Sequence, residues 1–302
     1  MNLAIETIGL TKTYGATQAV VELDLEVKHG QCFGFLGPNG AGKTTTIRLL
    51  LALHRPSRGQ AMVLGLDAQR DSVEIHRRVG YLPGDLALYP RMTGQRHLDW
   101  FARARDVDLG LATELAERFQ VVLNRPIREL STGNRQKVGL ILTFMHRPEL
   151  LVLDEPTSGL DPLMQAEFEH LVSETVAEGR TVFLSSHELD EVQRVADRVA
   201  LIKDGRLVTT DTVESLRRKA PQRVEARFPV SVDPGPFARI AGVAVTSCED
   251  SRIVLEVTGA IGPVLQAIAE RDPIDVTARH ADLDELFLDL YGHRPAEPSH
   301  AS

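Results

Sequence analysis

Gly37-Pro38-Asn39-Gly40-Ala41-Gly42-Lys43-Thr44 links an apolar stretch, residues 32–36, to a helical pattern that begins at Lys43. Glycines at this spacing let successive backbone N–H groups turn inward around an anion, and the helix N-terminus behind them adds the positive end of its dipole. Lys43 can reach terminal phosphates and the Thr44 hydroxyl can ligate Mg²⁺, with Thr45 next on the same turn. An ordinary glycine-rich strand-to-helix turn does not call for Lys-Thr at its last two positions. A dinucleotide fold calls for G-x-G-x-x-G and an acidic ribose contact instead. Phosphoryl transfer further needs a carboxylate at the end of another buried strand, and Leu150-Leu151-Val152-Leu153-Asp154-Glu155 supplies it. Asp154 can hold Mg²⁺ through water while Glu155 polarises an attacking water. Together the two segments read as nucleoside triphosphate hydrolysis.

The elements that must position these groups follow from periodicity. Val21, Leu23, Leu25 and Val27 alternate as in a strand, His29 and Gly30 form a turn, and residues 32–36 read as a fully buried strand. The helix opening at Lys43 should run to about residue 53, before Pro56, Ser57 and Gly59. Between 83 and 130 the chain becomes helical and charged, with Leu98, Phe101, Leu111, Leu115 and Phe119 at helix spacing, as in an inserted lobe. Strand character returns at 150–153, 181–184 and 199–202, with helices at 164–178 and 188–197 between them, so a parallel sheet is expected. Beyond Arg217, Arg218, Lys219 and Pro221 the pattern becomes strand (223–228), strand (252–257), helix (261–271), strand (274–278) and helix (282–290). That is a second, small α/β domain.

Length and composition narrow the function classes. A chain of 302 residues, 43% hydrophobic and 25% charged, is long enough for one large or two modest cores. Its longest apolar runs, such as 49–53, fall far short of the roughly 18–20 residues of a membrane-spanning helix. The first twelve residues, with Glu6 and Lys12 among short apolar pairs, lack the pattern of a secretory leader, so a cytosolic product is expected. A formal charge of −8 argues against coating nucleic acid. Seven basic and thirteen acidic side chains lie from Pro221 onward, so the two domains should differ in surface charge. Cys32 and Cys248 are too few for a disulfide framework or a thiolate metal site, and both are expected to be small buried residues.

Leu130-Ser131-Thr132-Gly133-Asn134-Arg135-Gln136, leading into helical sequence, resembles the signature segment of the ATP-binding cassette family. Thr132 and Asn134 depart from the family's Leu-Ser-Gly-Gly-Gln, while Ser131 and Gly133 remain; Ser131 also suits a helix N-cap. The resemblance covers about residues 1–215. It implies an α/β fold: a P-loop NTPase parallel-sheet core with an N-terminal antiparallel β region, an inserted helical subdomain at about 83–145 and a small C-terminal α/β domain. The corresponding units are 1–219 and 221–292, with a flexible tail at 293–302.

The resemblance also assigns roles. Tyr14 would stack on adenine, though a packed surface tyrosine is an equal reading of the residue itself. Residues 37–45 would cradle the phosphates, and Ser131, Gly133 and Asn134 would close on the ATP held by a second subunit. Ser158-Gly159-Leu160-Asp161 would cross the dimer interface, and His187 would hydrogen-bond the terminal phosphate. After Val79-Gly80-Tyr81-Leu82-Pro83 the family places a Mg²⁺-sensing glutamine; this chain has Gly84 and then Asp85, which can serve as a substitute ligand or leave the loop as a hinge only. ATP and Mg²⁺ are the implied ligands. The implied partners are a second cassette subunit, another copy in a homodimer or a related cassette, and a separate transmembrane permease docking on the helical lobe at the cytoplasmic side of the membrane. Leu283-Asp284-Glu285-Leu286-Phe287-Leu288 and Leu82-Pro83-Gly84-Asp85 resemble subunits of bacterial drug and polyketide exporters. The rival reading, a soluble cassette ATPase acting on ribosomes or DNA, would bring tandem cassettes or long coiled coils. A non-hydrolysing regulator would lack Glu155 or Lys43.

Overall fold

The computed structural model describes residues 3–219 and 221–280, and the chain divides into two compact units, Met1–Asp211 and Thr212–Ser302. The first unit opens with β1 (Leu3–Tyr14) and β2 (Thr17–Lys28), an antiparallel pair. There follow β3 (Cys32–Leu36), α1 (Lys43–Leu50), β4 (Arg58–Val63), β5 (Leu66–Asp67), α2 (Ser72–Arg78) and β6 (Val79–Leu82). Helices α3 (Gly94–Arg105), α4 (Gly110–Arg118) and α5 (Thr132–Phe144) form the inserted lobe. Then come β7 (Leu150–Asp154), α6 (Pro162–Ala177), β8 (Thr181–Ser186), α7 (Leu189–Val195), β9 (Arg198–Lys203) and β10 (Arg206–Thr212).

Two sheets result. One has the order β2-β1-β4-β5 and is antiparallel; the other has the order β10-β9-β3-β8-β7-β6, with β9, β3, β8, β7 and β6 parallel. Every residue of β3, β7 and β8 is buried, which is why these strands are continuous apolar runs rather than alternating ones. Phe183 stacks on Phe33 at 6.0 Å and meets Phe35 at 5.4 Å, joining β3 to β8 through the core. Because β8 lies between β3 and β7, the C-terminal ends of three neighbouring parallel strands open on one edge. Ligands of open α/β sheets bind at that edge.

Helix α1 is shorter than its periodicity suggests. It ends at Leu50, and Ala52 turns into the left-handed region at φ 54°. In the lobe Leu98, Leu115 and Phe119 are buried, while Phe101 and Leu111 are half-buried. Arg118 of α4 fastens the lobe to α6 through Glu167 at 2.5 Å and Glu174 at 2.8 Å.

The second unit contains α8 (Val213–Lys219), β11 (Gln222–Arg227), α9 (Gly235–Ala238), β12 (Val243–Glu249), β13 (Arg252–Val257), α10 (Gly262–Ala269) and β14 (Asp275–His280). Its antiparallel sheet has the order β14-β11-β13-β12, the ferredoxin-like arrangement of a β-α-β-β-α-β chain. Val224, Phe237, Leu255, Val264 and Ile268 form its core. The sequence pattern gave no sign of β12. This strand lies at the edge and none of its residues is buried, so its small residues carry little alternation. Cys248 sits there exposed, contrary to the buried position expected of it, whereas Cys32 is buried in β3. The expected helix at 282–290, Leu283 to Leu288 within it, and the tail at 293–302 lie outside the described residues.

Candidate functional site

The loop from Gly37 to Gly42 leaves the end of β3 and enters α1, which Gly42 caps with φ 108°. Gly37 N–H reaches Ser186 O at 3.3 Å, tying the loop to the end of β8. Lys43 is only 6% exposed, and its Nζ donates to Gly37 O at 2.6 Å and Pro38 O at 3.3 Å. It also lies 3.2 Å from Glu155 Oε1. Pro38, Asn39 and Gly40 are exposed at the loop tip, Ala41 is buried beneath it, and Thr45 is half-buried on the first turn of α1.

Thr44 Oγ1 donates to Asp154 Oδ2 at 2.8 Å, so the hydroxyl of α1 and the carboxylate closing β7 meet directly. His187 Nδ1 donates to Glu155 Oε2 at 2.8 Å, since the carboxylate can only accept. Glu155 adopts φ 50°, an uncommon conformation outside glycine that concentrates at functional sites. Its N–H is held by Ser185 O at 3.2 Å. Asn39, Thr44, Asp85, Asp154, Glu155 and His187 line one cleft of about 400 Å³, with Arg48 and Tyr81 in its wall. Burial, then the charge of Asp154, raises the Tyr81 hydroxyl pKa against the opposing effect of Arg48.

Asp85 is exposed at the rim. A Cβ added at Gly84 would lie 3.3 Å from Asp154 Oδ2, so backbone alone passes the carboxylate where the family resemblance called for glutamine. Tyr14 is not in this cleft: Lys12 Nζ sits 4.9 Å over its ring, and His54 meets its edge and its hydroxyl. Ser131 caps α5, accepting from Asn134 N at 3.2 Å and from Asn134 Nδ2 at 3.2 Å. Gly133 packs so tightly on the 158–161 loop that an added Cβ would fall 2.3 Å from Gly159 O, which leaves only glycine at 133 without displacement. Ser131, Gly133 and Asn134 are not among the residues that line the cleft of Thr44, Asp154, Glu155 and His187.

Three groups at the site went unassigned in sequence. Ser185 Oγ donates to Asp154 Oδ1 at 2.5 Å, so both carboxylate oxygens are engaged. Gln136 Nε2 donates to Pro156 O at 2.9 Å, connecting α5 to the loop after Glu155. Arg48 joins the cleft wall from α1. The available signal was a pair of buried hydroxyls, Ser185 and Ser186, closing an otherwise apolar strand.

Thr44 and Asp154 offer hard oxygen donors side by side. Among the described residues no group of three or more His, Cys, Asp or Glu could hold a metal ion. A hydroxyl and one carboxylate, with the remaining ligands from water and substrate phosphates, is a donor set that suits Mg²⁺.

Known proteins resemble this chain over most of its length. The family described as ABC transporter matches residues 20–158. The daunorubicin resistance ATP-binding protein DrrA3 of Streptomyces coeruleorubidus is 34% identical, covering 96% of this chain and 96% of its own. The bacitracin transport ATP-binding protein BcrA of Bacillus licheniformis is 35% identical over 74% of this chain and 75% of its own. A solved structure of an ATP-binding subunit of an ABC transporter superposes with a TM-score of 0.66 at 28% identity, covering 71% of this chain and 92% of that one. A cassette dimer in a post-hydrolysis state with ADP and Pi shares the fold, at a TM-score of 0.64 and 20% identity over 69% of this chain and 98% of that one. An identity of 34% to a relative matched over 96% of this chain shows that the chain belongs to the ABC transporter family, among its ATP-binding ATPases.

Proposed function

We propose that this chain dimerises head to tail around ATP and powers a separate membrane permease that exports drugs or related hydrophobic compounds. The observation that carries the reading is the separation within one chain: Thr44, Asp154, Glu155 and His187 line one cleft and Lys43 reaches Glu155 from beside it, while the Ser131 turn is not part of its lining. A second copy supplies that turn to the cleft. Residues 37–45 hold the phosphates, and Tyr14 faces the adenine. Thr44 and Asp154 would hold Mg²⁺, with Asp85 as a further carboxylate at the rim; bound there, the ion neutralises phosphate charge.

Lys43 exchanges its contact with Glu155 for the terminal phosphate, which frees Glu155 to orient a water. The water oxygen bonds to the γ-phosphorus as the bond to the ADP oxygen breaks, and the water's proton passes toward Glu155 or the departing phosphate. His187, hydrogen-bonded to Glu155 through Nδ1, steadies that carboxylate and turns its other ring nitrogen to the terminal phosphate. Nucleotide bridging both subunits favours the closed dimer and hydrolysis removes the bridge, so the pair acts as a two-state switch. The export assignment draws on the relatives named for daunorubicin resistance and bacitracin transport. Among the described residues no helix is long and apolar enough to cross a membrane. In this reading the permease is a separate chain, and this subunit sits on it at the cytoplasmic face.

Complementation between variants tests the composite site. Ser131→Arg and Lys43→Ala should each be inactive alone. Mixed, they should recover turnover, because a mixed dimer keeps one cleft with native Lys43 facing native Ser131. No recovery, with mixed dimers demonstrated, would contradict the arrangement.

A further inference from the structure

Glu191 of α7 does not line the cleft, yet its carboxylate spans the two segments that carry Glu155 and His187. Thr157 Oγ1, two residues beyond Glu155, donates to Glu191 Oε1 at 2.6 Å. Ser186 Oγ, immediately before His187, donates to Glu191 Oε2 at 2.9 Å. The same Ser186 oxygen accepts from Glu188 N at 2.9 Å, which fixes the backbone on the far side of His187. Thr157 is 7% exposed and Ser186 is fully buried, so water does not readily replace either bond. Hydroxyl-to-carboxylate bonds of these lengths are charge-assisted and directional.

The carboxylate therefore joins the loop after β7 to the end of β8, one oxygen to each. Across that junction Glu155 Oε2 meets His187 Nδ1 at 2.8 Å, and the left-handed backbone of Glu155 is held from β8 by Ser185. Among the described residues no other side-chain hydrogen bond joins Thr157 to this strand, whereas Asp154 accepts from Thr44 and Ser185. Ser185 thus serves both carboxylates, through its hydroxyl to Asp154 and its carbonyl to the Glu155 N–H, while the Glu191 carboxylate ties Thr157 to Ser186.

We infer that Glu191 is a positioning residue for the Glu155–His187 pair, setting the geometry of water attack without touching nucleotide. The inference rests on the proposed roles of Glu155 and His187. Removing the brace lets the two loops shift independently, and a misplacement of about 1 Å at a reacting centre can cost about 100-fold in rate. The phosphate loop keeps its contacts through Lys43 and the backbone tie of Gly37 N–H to Ser186 O, neither of which uses the Glu191 carboxylate.

The test is steady-state ATPase kinetics on the full chain for Glu191→Ala, Glu191→Gln, Thr157→Val and Ser186→Ala, with Glu155→Gln as reference. Glu191→Ala should lower kcat by about 10- to 100-fold with KM for ATP changed less than about threefold. Glu191→Gln retains an acceptor for one hydroxyl and a donor for the other oxygen, so it should recover most of that loss. The Thr157 and Ser186 variants should each reproduce part of it, which keeps the idea testable if Glu191→Ala fails to fold. Combined with Glu155→Gln, loss of Glu191 should add almost nothing, because residues acting as a unit are non-additive. A Glu191→Ala enzyme with native kcat, or one whose defect lies wholly in KM, overturns the inference while Glu155→Gln stays inactive. If Glu155→Gln itself turns over normally, the catalytic reading fails first.

Discussion

Asp85 follows Gly84, the position at which the chain departs from the glutamine of the cassette pattern. With Gly84 passing Asp154 as bare backbone, the carboxylate that this loop brings to the cleft is that of Asp85. If it contributes to the proposed metal site, Asp85→Ala should raise the Mg²⁺ needed for half-maximal ATPase activity, by about 10- to 100-fold as for outer ligands generally. The measurement is a Mg²⁺ titration at saturating ATP. An unchanged midpoint with weaker stimulation by the permease leaves the loop as a hinge, and no change in either leaves Asp85 a solvated rim residue. The spacing of Lys43, Thr44, Asp154 and Glu155 was readable in sequence because each sits at a fixed offset from a strand end. Ser185, Gln136 and Glu191 were not, because their meaning lies in hydrogen bonds that cross strands and loops far apart in the chain.

At the level of elements, the apolar runs of β3, β7 and β8 announced a parallel sheet buried on both faces, whereas β12, an edge strand of small half-exposed residues, carried no such pattern. The end of α5 shows a contact that only packing creates. His146 follows that helix, its Nε2 lies 3.4 Å from Val79 O of β6, and its ring meets Phe101 of α3 at 5.5 Å. Burial first, and then the nearby charges of Arg105 and Arg180, hold its pKa down at about 4 from an ordinary 6.5. A histidine kept neutral in the fold but free to protonate when unfolded makes the unfolded state bind more protons. Stability should therefore be whole above about pH 6.5 and decline as the pH falls toward about 4. Melting temperature measured across that window should fall less steeply for His146→Phe than for the native chain. Parallel curves would show that His146 is not a source of the acid sensitivity.

For the molecule as a whole, the two units have separate cores, one behind the parallel sheet and one beneath the ferredoxin-like sheet. Relatives such as DrrA3 match through both units, while BcrA matches over about three quarters of the chain. The cassette's motifs lie in the first unit, so the proposed ATP-dependent dimer can be judged from one catalytic substitution. Glu155→Gln removes the charge that orients water while Lys43, Thr44 and Asp154 keep their contacts with the loop and with one another. The most direct measurement is size-exclusion chromatography of Glu155→Gln with and without Mg-ATP, followed by assay of the nucleotide it retains. The head-to-tail account predicts an ATP-dependent shift from monomer to dimer with unhydrolysed ATP trapped in the dimer. A variant that binds ATP yet elutes as a monomer would contradict it.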